Sequence, residues 1–264
     1  MAAPGLTAYE QALHQLANAS LVELRQLWSL LGRGATEFPV EVKEALIEAL
    51  PVLVDQYGQV ASDLTMEWYD SLDVNDGFKA KPPPPVSSEA VQASALWAAQ
   101  PLFDPDGVDV AGVLQRLSGT MSRQVYNQAR ETVWHNAELE ELGGVARVTR
   151  ANGCGYCRML ASRGFAYRSE GTAEAGSHDH CRCVVLPRKR GISDKDIPNL
   201  DKFANEYRAA VEQIGGIDGA GSTEKIIAVM NGGTGERAGE KAAARAAEAR
   251  AKRSAERRKR SRKS

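Results

Sequence analysis

The chain has 264 residues, 43% of them hydrophobic, with 33 basic and 34 acidic side chains. That is enough material for one or two domains with a real core, and no apolar run reaches the roughly 20 residues that span a bilayer. The near-neutral total hides an asymmetry: residues 236–264 hold 12 lysines and arginines against 4 glutamates, which leaves the rest of the chain near −9.

Met1 to Thr7 lack the basic-then-apolar pattern of a secretory leader, so synthesis in a reducing host cytoplasm is the expectation. Residues 7–31 read as helix, because Leu13, Leu16, Leu24, Leu27, Trp28 and Leu31 recur at helical spacing. Ser20 with Glu23 has the form of a capping box, which predicts a break near residue 19. A second helix is expected after Pro39 through Leu72, with Pro51 as a kink. Asp76-Gly77 and the four prolines Pro82 to Pro85 then interrupt it. Four prolines favour an extended polyproline strut, read here as a linker, a surface loop, or an arm laid over a neighbour.

Helical pattern resumes at 88–99 and 108–142, the latter with an apolar stripe through Leu117, Met121, Val125, Ala129 and Val133. Arg123, Arg130 and Glu131 fall on its other faces. Val145 to Thr149 alternates like a strand, Ala151 to Leu160 reads as a turn leading into about two helical turns, Phe165 to Tyr167 as a second strand, and Cys181 to Leu186 as a closing strand. One helix is expected from Ser193 to Ile214 and a short one at 223–230. The fold class expected is α+β, mostly α-helical, with a small zinc-knuckle β unit and a basic tail that is disordered or helical. The divisions are an N-terminal helical region at 1–74, a Pro-rich linker at 75–88, a knuckle-bearing domain at 89–190, a C-terminal helical region at 191–235 and the tail at 236–264.

Chemistry concentrates in residues 154–183. Four cysteines fall within 30 residues as a CxxC and a CxC, and in a reducing compartment such pairs are more often metal ligands than disulfides. Zinc takes four tetrahedral nitrogen or sulfur ligands. Cys154 and Cys157 sit on one tight turn, with Gly153 and Gly155 freeing the backbone. Cys181 and Cys183, at alternate positions of a strand, face the same way. His178 and His180 compete with them, as ligands or as hydrogen-bond partners of a sulfur, so six candidates meet four positions. The rival readings are four reduced thiols without metal and a CxxC redox pair.

The run Gly153-Cys154-Gly155-Tyr156-Cys157-Arg158-Met159-Leu160, followed by a loop and His178-Asp179-His180-Cys181-Arg182-Cys183 with Pro187, resembles the Mu-F-like minor capsid proteins of tailed bacteriophages, in versions from phages of actinobacteria. His178-x-x-Cys181-Arg182-Cys183 matches that family's H-x-x-C-R-C element. The resemblance covers roughly residues 90–190. Two features depart from it: His180 is an additional histidine, and the proline often beside the family's histidine is absent. The resemblance implies a head-morphogenesis protein of the virion, at the portal or the capsid interior, with portal or major capsid protein and scaffold as partners.

It also implies a structural zinc ion held from among Cys154, Cys157, His178, Cys181 and Cys183, with His180 as a substitute. The cationic cluster Arg257, Arg258, Lys259, Arg260, Arg262 and Lys263 is the candidate contact to packaged DNA. No membrane partner and no catalytic residues are expected. Other chemistries fit less well. A His-metal-finger nuclease needs a further histidine after His180, and none follows. A zinc deaminase needs H-x-E before its CxxC, and none occurs. A zinc-ribbon nucleic-acid binder would have a basic body around the knuckle.

Overall fold

The computed structural model describes residues 2–73, 77–168, 179, 181–217 and 221–233. Among them are seven α-helices and two short strands. The expected tail, residues 236–264, lies outside the described residues. Among the described residues no helix is long and apolar enough to cross a membrane.

The chain divides into two compact units. The first comprises Met1–Thr149 and Gly164–Pro198, the second Arg150–Arg163 and Asn199–Ser264. In the first unit, helix α1 (Leu6–Leu31) buries Leu6, Tyr9, Leu13, Ala17, Ser20, Leu24 and Trp28, steps of three and four that make one continuous face. The break expected near residue 19 is absent. The Ser20 hydroxyl donates to the Ala17 carbonyl of its own helix at 2.8 Å, and the packed face carries the helix through. Helix α2 (Pro39–Ser71) starts with its proline in the first turn, where the missing N–H costs nothing, and runs on through Pro51. Helix α3 (Ser88–Ala99) is capped by the Ser87 hydroxyl, which accepts the Ala90 N–H at 3.3 Å.

Helix α4 (Val110–Leu139) lies between the others and packs against α1, α2 and α3. Between Gly119 and Ala137 it is buried almost all round, although it carries Thr120, Gln124, Gln128, Arg130, Thr132 and Asn136. Arg130, expected on a face other than the apolar stripe, is buried as well. The Thr132 hydroxyl reaches the Ser62 hydroxyl of α2 at 3.1 Å. Asn136 accepts the Lys81 N–H at 2.7 Å and donates to the Lys81 carbonyl at 2.9 Å, as a neighbouring strand would. Together with the Asp70 carboxylate, which accepts the Ala80 N–H at 2.8 Å, this pins the proline segment onto α2 and α4. Pro83 is buried there. The segment is therefore an arm laid over its own helices.

Strands β1 (Val145–Val148) and β2 (Val184–Pro187) pair antiparallel, with Arg147 opposite Val185. All eight residues are buried, so the alternation read in the sequence does not mark a solvated face. Phe165 to Tyr167 is not a full strand; Tyr167 makes a single bridge to Val145. Gly144 permits that approach. Its φ is 146°, and a Cβ there would stand 2.9 Å from the carbonyl oxygens of both Phe165 and Tyr167.

Beyond β2, Lys189 is bolted inward. Its ammonium lies 3.2 Å from the Glu140 carboxylate and 4.4 Å from the centre of the Tyr69 ring. Tyr69 in turn donates to Glu140. The Lys189 and Glu140 side chains are only 2% and 10% exposed.

In the second unit, helices α5 (Gly155–Ala161), α6 (Leu200–Gln213) and α7 (Ser222–Met230) pack on one another. Helix α6 begins at Leu200 rather than at Ser193. Ser193 and Asp196 close a capping box around a single 3-10 turn, and Pro198 keeps the residue before it out of helical conformation. Arg158 of α5 donates to the Gly153 carbonyl at 2.8 Å, to the Glu206 carboxylate of α6 and to the Met230 carbonyl at the end of α7. One side chain thus ties the three helices.

The buried Lys189–Glu140 pair gives a direct test. Lys189→Met leaves a carboxylate without its cation and is predicted to lower the unfolding free energy by about 3 kcal/mol. Adding Glu140→Gln should recover a large part of that loss. Urea denaturation of the two single variants and the double variant checks this; additive losses would show that the pair does not act as one.

Candidate metal centre

The first cysteine pair is organised by the start of α5. Cys154 is the residue before the helix, with extended backbone, and its Sγ accepts the Cys157 N–H at 3.4 Å. An N-cap oxygen would accept that same bond, so the CxxC spacing puts a sulfur where the free amides of a first turn point. Gly155 is required, though not for a left-handed backbone. A Cβ there would stand 2.5 Å from the Ile227 carbonyl of α7, and the Gly155 N–H donates to Asn231 Oδ1 at 2.6 Å. Cys154 is half-buried and Cys157 buried.

The second pair directly precedes β2. Cys181 and Cys183 are 2% and 0% exposed, and their sulfurs stand 3.0 Å apart. The expected common orientation is present. Two sulfurs on a tetrahedral zinc stand about 3.8 Å apart, given bonds of about 2.3 Å. The pair needs to open by less than about 1 Å to match. None of the four cysteines is in a disulfide. Cys157, Cys181 and Cys183 are all buried, and their sulfurs lie close enough to one another to hold a metal ion. Cys154 is outside that group of three.

His178 and His180 lie outside the described residues, as do Arg257, Arg258, Lys259, Arg260, Arg262 and Lys263. Asp179, between the two histidines, forms an ion pair with Arg123 of α4 at 2.9 Å. It sits over Gly119, where a Cβ would come within 2.8 Å of the Asp179 side chain. Arg182, inside the H-x-x-C-R-C element, is exposed and meets His14 of α1 at 3.3 Å.

Two residues not singled out for the site belong beside it. Arg147 Nη2 donates to Cys183 Sγ at 2.7 Å, and its side chain is fully buried. Arg130 donates to the Cys183 carbonyl at 2.7 Å and stands 3.8 Å from the same sulfur. The signal for Arg147 was present in the sequence: it is a lone charge in the run Val145-Ala146-Arg147-Val148. Arg130 had no such signal, since a charge on a helix ordinarily reads as a solvated face.

Burial orders the reactivity of the thiols. In a brief alkylation of the native chain, Cys154 is predicted to label first, with Cys157, Cys181 and Cys183 following only on unfolding. Peptide mass spectrometry after timed quenching checks this; equal labelling of all four in the native chain would contradict it.

Comparison with known proteins places the chain. No curated protein and no solved structure matches it. A family model described as VG15 protein matches residues 1–210, which takes in all of α1 to α5, both strands and all four cysteines. The chain belongs to the VG15 protein family, a family of viral gene products.

Proposed function

We propose that the chain is a minor capsid, head-morphogenesis protein of a tailed phage, Mu-F-like in its knuckle, and that it acts structurally and not as an enzyme. Membership of a viral gene-product family carries this reading, and the buried group Cys157, Cys181 and Cys183 supports its metal component. In this reading the ion is zinc, and Cys154 completes the set with Cys157, Cys181 and Cys183. His178 is the alternative fourth ligand and His180 its substitute. A site filled by four protein ligands leaves zinc no position for a water, so its contribution is to folding. The helical first unit would dock on portal or major capsid protein, with scaffold as a further partner. The tail cluster Arg257, Arg258, Lys259, Arg260, Arg262 and Lys263 would contact packaged DNA. The protein would then reside in the virion, at the portal or inside the capsid.

Purified, DNA-filled virions decide the main claim. Quantitative mass spectrometry should find the chain there at a few copies per particle. Its presence in infected-cell lysate with absence from virions would overturn the proposal.

The tail has a separate prediction. If five or six of its charges meet phosphates, log K should fall against log salt with a slope of about −5 on duplex DNA. A chain ending at Gly235 should lose that binding. Equal binding by both forms would remove the tail from the DNA contact.

A further inference from the structure

The turn that carries Cys154 and Cys157 is gripped by the end of α7. The Gly155 N–H, between the two cysteines, donates to Asn231 Oδ1 at 2.6 Å. Arg158, next after Cys157, donates to the Gly153 carbonyl at 2.8 Å and to the Met230 carbonyl. The Ile227 carbonyl leaves no room for a Cβ at Gly155. All of these residues belong to the second unit. Helix α7 begins at Ser222, beyond residue 210 where the family match ends, and Asn231 follows its last residue.

The hydrogen bonds divide the first turn of α5 between them. The leading amides of a helix have no carbonyl partner within it. The Cys157 N–H goes to Cys154 Sγ, which fixes one cysteine relative to the other. The Gly155 N–H goes to Asn231, which fixes the same turn relative to α7. Without Asn231 that amide would turn to water or to another acceptor, and the tether between α7 and the turn would be lost. Metal affinity depends on ligands that outer hydrogen bonds already hold in place. We infer that Asn231 is a positioning residue of the metal site: its side-chain carbonyl holds the Gly155 amide and so presets Cys154 and Cys157 as a two-sulfur clamp. This rests on the zinc reading proposed above.

The test is zinc affinity of the full chain, measured by competition with a chromophoric chelator. Asn231 is exposed, so its replacement removes the bond without opening a cavity in the core. Asn231→Ala is expected to weaken zinc binding by roughly 10- to 100-fold, the loss that follows removal of an outer partner of a metal site. Amide exchange at Gly155 should quicken in the same variant. Asn231→Asp keeps an acceptor oxygen in place. At high salt, which screens its added charge, it is expected to bind within about threefold of the unaltered chain. Ile226→Ala supplies the comparison. Ile226 is a buried residue of α7, and truncating it loosens packing without touching the amide bond. It is expected to lower the urea midpoint while zinc affinity stays within about threefold. A purely structural role for Asn231 would make these two alanine variants behave alike.

Three results overturn the inference. One is Asn231→Ala, folded by circular dichroism, binding zinc as the unaltered chain does. Another is Asn231→Ala and Ile226→Ala losing stability and zinc affinity in parallel. The third is Asn231→Asp losing as much affinity as Asn231→Ala. Each of these leaves the zinc reading standing. Absence of zinc binding in the unaltered chain removes that reading and this inference with it.

Discussion

Helix α4 is enclosed by protein over most of its length, and it takes polar side chains into the interior with it. Each polar group taken out of water without a partner costs about 1–3 kcal/mol. That constraint organises much of the first unit. Thr132 meets Ser62 and so fixes α2 beside α4. Asn136 gives both ends of its amide to the backbone of Lys81 and so holds the proline arm. Arg130 reaches the Cys183 carbonyl and so fixes the approach to β2. An all-apolar helix would bury as well, but it would not specify which backbone lies where along its length.

The same constraint explains which parts of the fold could be read beforehand. Where burial follows one stripe, as in α1, the three- and four-residue spacing of Leu6, Tyr9, Leu13, Ala17, Leu24 and Trp28 is sufficient. Local signals misled where tertiary packing outweighed them. Ser20 and Glu23 have the wording of a cap, yet a packed face continues through them. The helix expected from Ser193 starts only at Leu200, because the residues before Pro198 form a separate capped turn. Ala146 and Val148 alternate with Arg147 as a half-solvated strand would, yet both faces are covered.

The candidate site was legible to a different degree. Two closely spaced cysteine pairs are a strong cue, because the spacing itself positions sulfurs. What the spacing does not contain is the electrostatic setting. Arg130 lies 53 residues from Cys183 and Arg147 lies 36 residues from it, and only the fold brings them there. Gly155 was expected to free the turn. Its use is instead to let the Ile227 carbonyl come close, a tertiary fact with no local trace. Family membership adds the viral context that neither geometry nor spacing contains.

The central proposal is that the two cysteine pairs share one zinc. X-ray absorption at the zinc edge of the full, metal-loaded chain tests it most directly. The account predicts four sulfur neighbours at about 2.3 Å and no nitrogen shell. A nitrogen neighbour at about 2.0 Å, marking a histidine in the set, would contradict it.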